Sequence, residues 1–412
     1  MREYTAVEVE GIARNELRSD LEKLLREGAR QMLEVALQTE VAEYTERHQG
    51  ERDERGRRLV VRNGFHPPRQ LVTGVGKVPV RQPRVDDRRE GAGFTSAILP
   101  RYARRAPSID ALVPALYLKG ISTSSFPEAL KAILGDQVSG LSAANIVRLK
   151  QVWEKEYATW RQRDLSGKRY AYVWVDGIYF NVRLQPDRPC VLVVVGATHD
   201  GRKELLAVVD GERESYLSWR HLLEDLKARG LTEDPCIAVG DRALGFWKAL
   251  REAYPRTREQ QCWVHKTANV LDKLPKSQQP DAKQMIHDMY LSPTKKEALA
   301  AYQRFLDLYE AKYPKACECL RKDEEVLFTF YDFPAEHWAH LRTTNPIEST
   351  FSTVRHRTRQ TKGCGSRTAA LTMVFKLATD AEKHWRRLRG YKLITQVIEG
   401  MPFVDGEMKK AA

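Results

Sequence analysis

Three runs decide the fold: Arg169-Tyr-Ala-Tyr-Val-Trp-Val-Asp-Gly-Ile-Tyr-Phe-Asn-Val182, Cys190-Val-Leu-Val-Val-Val-Gly-Ala-Thr198 and Lys203-Glu-Leu-Leu-Ala-Val-Val209. Each is rich in Val, Tyr, Ile and Leu and bounded by turn residues, so three successive strands are expected. Residues 215–229 then have helical spacing, Cys236-Ile-Ala-Val-Gly240 is a short buried strand, and residues 246–254 form a second helix. The order strand, strand, strand, helix, strand, helix predicts an α/β sheet with antiparallel hairpins at its start. The longest apolar run, residues 190–197, is far below the roughly 20 residues of a bilayer crossing. The N-terminal residues lack the apolar core of a secretion signal, and the six cysteines are scattered, so a cytoplasmic protein without a disulfide framework is expected.

Working outward, residues 20–47 have helical periodicity, with Leu21, Leu24, Leu25, Met32, Leu33, Ala36, Leu37 and Val41 assigned to one side. Such a stripe needs a cover, and a partner subunit is one. Residues 58–64 and 71–81 alternate as short strands in a small basic unit, and the Arg- and Pro-rich residues 83–107 read as an extended linker. Residues 109–157 are helical again. Two short helices, a Gly-containing turn and a Ser-led helix suggest a DNA-binding helix-turn-helix, a pattern that a plain helical bundle also gives. Residues 265–340 are mainly helical, and a last helix starts near Asn345-Pro346, where Pro is tolerated in the first turn.

Charge narrows the function. Lys and Arg total 68 against 55 acidic residues, a net charge of +13. Residues 52–105 hold 14 basic and five acidic residues, so nine of the net thirteen charges lie there. A second cluster, Arg355, Arg357, Arg359, Lys362 and Arg367, contains no acid. Two separated basic tracts suit a surface that follows a phosphate backbone.

Three acids stand out against this background. Asp176 interrupts the apolar run of the first strand, where an acid costs several kcal/mol unless paired or metal-bound. Asp241 follows a strand at its carboxyl end, where open α/β sheets place their ligands. Glu348 lies in the first turns of the last helix, with Arg355 and Arg359 seven and eleven positions on and therefore on its face. Each also has a bland reading: a turn acid, a strand-end cap and a partner of the helix dipole. Together they form a hard oxygen set suited to magnesium or manganese. Two such ions would activate a water or a 3′-hydroxyl and stabilise the leaving oxygen in phosphodiester chemistry.

Val175-Asp-Gly177, Val239-Gly-Asp241, Gln261-Cys-Trp-Val-His265 and Asn345-Pro-Ile-Glu-Ser349, in that order, resemble the Mutator-like transposases of bacterial insertion sequences. The resemblance runs from the N-terminal helix, through Arg62-Asn-Gly64 and Thr73-Gly-Val-Gly-Lys77, to about Arg389. It implies a ribonuclease H-like catalytic domain with an α-helical insertion, preceded by small helical and β DNA-binding domains. It also implies an Asp-Asp-Glu triad of Asp176, Asp241 and Glu348 that cuts DNA at element ends and transfers strands. The expected division is an N-terminal helix for dimerisation (1–51), a basic β-rich DNA-binding unit and linker (52–107), and a helix-turn-helix-like unit (108–165). The first part of the catalytic core (166–260), a helical insertion (261–340), and the completion of the core with a basic C-terminal region (341–412) follow.

Cys262 and His265 belong to the family pattern. A zinc site would need Cys317 and Cys319, whose one-residue spacing is poor for tetrahedral ligation. The better reading packs Cys262 as a small apolar residue and places His265 near the acids or the DNA. Trp247, Trp263 and Trp338 are expected in core packing. The expected partners are double-stranded DNA with terminal inverted repeats, target DNA and a second or further copy of the chain, with no membrane, in a nucleoid-associated bacterial protein. A ribonuclease H-type nuclease and a domesticated DNA-binding regulator are the competing readings.

Overall fold

One 42-residue helix, α1 (Ala6–Arg47), opens the chain and is followed by four short strands, β1 (Val60–Phe65), β2 (Arg69–Thr73), β3 (Gly76–Val80) and β4 (Pro83–Asp87). The computed structural model describes residues 6–91, 93–109, 116, 143–179, 190–211, 213–241, 244–360 and 366–409. They divide into two units, Met1–Val147 and Arg148–Ala412.

In the first unit β1 pairs antiparallel with β4 and β2 with β3. The β2–β3 turn closes at Gly76, whose φ of 100° a side chain would strain. Leu37 of α1 is buried with Leu71, Val78, Val80 and Leu99, and Ala29 and Leu33 pack against them. Glu40 of α1 accepts from the Ser96 hydroxyl (2.5 Å) and the Ala97 amide (2.6 Å). Two expectations change here. Leu21, Leu24, Leu25 and Met32 are exposed while Leu37 and Val41 are buried, because at 100° per residue these sets lie on nearly opposite sides of the helix. Residues 83–107 are not a plain linker: Pro83–Asp87 is a paired strand, and the Ala106 amide donates to the Val72 carbonyl (2.8 Å). Arg and Pro content masks the few inward residues, such as Leu99 and Ala103, that hold this segment in place. Most of the expected helix-turn-helix, residues 110–115 and 117–142, lies outside the described residues.

The second unit is a mixed α/β structure. After α2 (Ala143–Arg161) come β5 (Tyr170–Tyr179), β6 (Cys190–Thr198), β7 (Lys203–Gly211), α3 (Tyr216–Ala228), β8 (Ile237–Gly240), α4 (Leu244–Ala253) and β9 (Arg258–Gln261). The sheet order is β7-β6-β5-β8-β9, with β6 antiparallel to both β5 and β7, β8 parallel to β5, and β9 parallel to β8. The four-residue edge strand β9, Arg-Glu-Gln-Gln, is an addition to the expected order. Its polar residues give no strand signal, and its buried Gln260 is satisfied by the Leu327 carbonyl (3.0 Å) and the Phe330 amide (2.9 Å).

Every residue of β6 is buried, as in a strand covered on both faces. Val173 and Val175 face Trp219, Leu222, Phe246 and Leu250 of α3 and α4. Tyr172 and Trp174 face the other way, the Tyr172 hydroxyl to His337 Nδ1 (2.6 Å) and the Trp174 Nε1 donating to the His340 carbonyl (2.8 Å). Strand alternation therefore points Asp176 to this second side.

The chain then runs through α5 (Trp263–Leu271), α6 (Gln279–Leu291), α7 (Lys295–Tyr309), α8 (Pro314–Arg321), α9 (Glu324–Leu327) and α10 (Trp338–Leu341). Trp263, Phe305, Phe328 and Tyr331 are buried in this helical segment. Its start and finish meet, since the Trp263 amide donates to the Arg342 carbonyl (2.9 Å). Helix α11 (Asn345–Gln360) and α12 (Arg367–Glu382) follow, and the buried Phe375 of α12 packs on Tyr157 and Trp160 of α2.

Candidate active site

Strands β5 and β8 lie side by side with Trp174 level with Val239. Asp176 and Asp241 each come two residues later, so the register brings both acids to one level and one side of the sheet. Asp176 is 7% exposed and its Oδ1 accepts from the Gly177 amide (2.8 Å). Burial pushes its carboxyl up to about 7; His265 opposes the rise, and Glu214 and Glu348 add to it. Asp241, half-buried, accepts from the Gln261 side-chain amide (3.3 Å), which the end of β9 supplies.

Glu348 arrives from the first turn of α11. Its Oε1 accepts from the Thr344 hydroxyl (3.0 Å), and the Thr344 carbonyl accepts from its amide (3.1 Å). Cys262 caps α5, and its amide donates to the Gly240 carbonyl (2.8 Å), one residue before Asp241. One turn into α5 stands His265. Cys262, His265 and Glu348 each offer a ligand atom, and these atoms lie within 4.8 Å of one another. Burial alone would lower the His265 imidazolium; Cys262, Asp241 and Asp176 outweigh it and lift the group to about 9.

The expected acids and His265 are thus brought together, while Trp247, Trp263 and Trp338 are buried in packing. Cys262 is fully buried but is more than an apolar filler, because its sulfur accepts from the Thr344 amide (3.3 Å). Arg355 is exposed on α11 with its guanidinium 5.9 Å from the Phe351 ring centre. Arg359 lies one turn further on, its side chain outside the described residues.

Sequence reasoning missed Glu214, just ahead of α3. Its carboxyl is raised by burial and by Asp241, and Tyr179 and His265 oppose the rise. A Cβ on Gly177 would lie 2.5 Å from its Oε1, so the glycine after Asp176 makes room for this fourth acid. The clue in the sequence is that Asp-Gly; the identity of the acid that fills the space depends on distant packing. Gln261 and Thr344 were missed for the same reason.

The acids fit hard divalent cations. Four carboxylates converge beside His265, whose charge opposes the rise at Asp176 and Glu214; among the described residues no lysine or arginine is ion-paired to Asp176, Glu214 or Glu348, and the buried Nδ1 of His265 has no hydrogen-bond partner. A basic α/β protein with a carboxylate-lined site at the ends of its central strands is the class so defined. The chain belongs to the Mutator family of transposases, whose model matches residues 1–388.

The transposase of insertion sequence element IS6120 from Mycolicibacterium smegmatis is 50% identical over 72% of this chain and 91% of its own. That of IST2 from Acidithiobacillus ferrooxidans is 48% identical over 68% of this chain and 94% of its own. That of ISRM5 from Rhizobium meliloti is 29% identical over 89% of this chain and 90% of its own. Among solved structures, the Drosophila P element transposase strand transfer complex aligns with 71% of this chain and 84% of its own at 10% identity and a TM-score of 0.28, a likeness too weak to assign anything. Among the described residues no helix is long and apolar enough to cross a membrane.

Proposed function

We propose that this transposase binds the terminal inverted repeats of its own insertion sequence, cuts a strand at each end, and joins the freed 3′-hydroxyl to target DNA. The observation that carries the reading is the convergence of Asp176, Asp241 and Glu348 from two adjacent strands and a helix start. Asp176, Asp241 and Glu348 would hold magnesium or manganese, in a two-ion site, with His265 beside them. Bound ions of this kind activate the attacking oxygen and neutralise charge on the leaving oxygen. The carboxylates fix where the scissile phosphate sits, and Arg355 and Arg359, along the face of α11 that bears Glu348, would hold neighbouring phosphates. In the first step water attacks phosphorus and a 3′-hydroxyl leaves; in the second that hydroxyl attacks a target phosphodiester and displaces a second 3′-oxygen.

The sheet order, three antiparallel strands followed by two parallel ones, supports a ribonuclease H-like core, with residues 261–340 as its insertion. Two DNA ends call for at least two subunits, so a homodimer or larger assembly acting in the bacterial cytoplasm is part of the proposal. The test is a magnesium-dependent reaction on labelled DNA carrying the element's terminal repeat, comparing the natural chain with Asp241→Asn. Nicking at the repeat end and joining to other DNA, both lost in the variant, is the expected result. Hydrolysis without joining supports a nuclease instead, and binding with neither activity supports a regulator.

A further inference from the structure

The Cys262-Trp-Val-His265 stretch contributes more than a histidine to the site. Cys262 and Thr344 are both fully buried and touch in two ways. The Thr344 amide donates to the Cys262 sulfur (3.3 Å), and the same sulfur lies 3.4 Å from the Thr344 hydroxyl oxygen. That hydroxyl is also 3.0 Å from Glu348 Oε1. A threonine hydroxyl has one proton to give, and an ionised carboxylate can only accept. With the Thr344 proton committed to Glu348, the hydrogen between sulfur and oxygen comes from the Cys262 thiol. The bonds then run in one direction, from the Cys262 S–H to the Thr344 Oγ1 and from the Thr344 O–H to Glu348.

Thr344 stands just ahead of α11, where a threonine hydroxyl ordinarily accepts from an amide of the first turn. Here it faces the side chain of Glu348 instead. The Cys262 amide meanwhile donates to the Gly240 carbonyl next to Asp241. One residue thus ties the strand end that carries Asp241 to the helix start that carries Glu348.

We infer that Cys262 and Thr344 are positioning residues that orient the Glu348 carboxylate, and that Cys262 serves as a hydrogen-bonded thiol rather than a metal ligand. This rests on Glu348 being a metal-binding acid. A thiolate bound to a metal would have no hydrogen for Thr344, and two acceptors would then compete for one hydroxyl proton. Partners that orient a ligand in this way typically set metal affinity by about 10–100-fold.

The experiment titrates manganese into the full-length, metal-free protein by calorimetry and measures the manganese dependence of cleavage in parallel. Thr344→Val keeps the shape and removes the hydroxyl. It is expected to weaken manganese binding about tenfold and to raise the concentration for half-maximal cleavage by the same factor, with most of the rate recovered at saturation. Thr344→Ser restores both, and Cys262→Ala weakens binding by a smaller factor, about threefold. A folded Thr344→Val protein that binds manganese like the natural chain overturns the inference. If that variant does not fold, Cys262→Ala decides: unchanged binding overturns it, and weakened binding supports it. Glu348→Gln separates the two levels, because manganese binding and cleavage retained in that variant remove Glu348 itself from the site.

Discussion

Asp87 and Asp176 are both aspartates shielded from water, and their surroundings push them in opposite directions. Asp87, in the first unit, accepts from Arg89 (2.8 Å) and the Tyr44 hydroxyl (2.7 Å), and these bonds hold its carboxyl well below the usual range. Asp176, in the second, has the Gly177 amide at its Oδ1 and further carboxylates nearby, and burial raises it to about 7. The difference separates an acid that fastens a structure from one held among other acids. Both side chains are shielded; a guanidinium bonded to the carboxylate at Asp87, and an imidazole that acts on Asp176 through its charge without a bond, tell them apart.

The largest expected effect falls on the second kind. Asp176→Asn, Asp241→Asn and Glu348→Gln should each lower strand cleavage by about 1000-fold or more, roughly 4 kcal/mol, while repeat binding in a gel-shift assay stays close to that of the natural chain. Cleavage that survives in any one of them takes that acid out of the chemistry.

Stability should move the other way. The folded state favours neutral Asp176, so this residue's contribution is fully present below the unfolded value near 4, declines as pH rises, and has become a penalty above about 7. Asp176→Asn should therefore stabilise the metal-free protein at pH 8, by on the order of 2 kcal/mol, and hardly at all at pH 4. Urea melts in the presence of a chelator measure this, and a variant no more stable than the natural chain at pH 8 would mean Asp176 is compensated after all.

Asp87→Ala should act in the contrary sense. Removing the acceptor leaves Arg89 and Tyr44 without their shared partner, and the melting temperature should drop by several degrees at neutral pH. An unchanged melting temperature would remove the contrast between the two aspartates. The smallest effect is expected at the protein's rim: Arg355→Ala should weaken DNA binding and reduce the salt slope by about one. An unaltered slope would place Arg355 away from phosphate.

Much of this arrangement was readable from residue order. The valine-rich runs at β5, β6 and β7 announce themselves, and an aspartate set among such residues, or closing one at Gly240-Asp241, is conspicuous by its chemistry. What escaped has a common physical character. β9 is polar and four residues long, so its place is decided by Gln260 and Gln261 meeting groups far away in the chain. Glu214 precedes a helix capped by Ser215, where an acid is unremarkable until the sheet packs behind it. Spacing alone separates the two apolar sets of α1, at 100° per residue, but which of them is covered depends on Leu71, Val78, Val80 and Leu99, far along the chain. Local patterns expose elements; contacts between residues distant in sequence become visible only when those elements are assembled.

The bond from the Trp263 amide to the Arg342 carbonyl has an architectural consequence. The helical segment leaves the sheet and rejoins it at adjacent residues, and Tyr172, Trp174 and Gln260 of the sheet fasten its last part again at His337, His340 and Leu327. Its length and content are then uncoupled from the spacing of Asp241 and Glu348. Residues inserted at the exposed Pro293, in the turn after α6, would therefore lengthen the chain between Asp241 and Glu348 without moving the two acids apart in space.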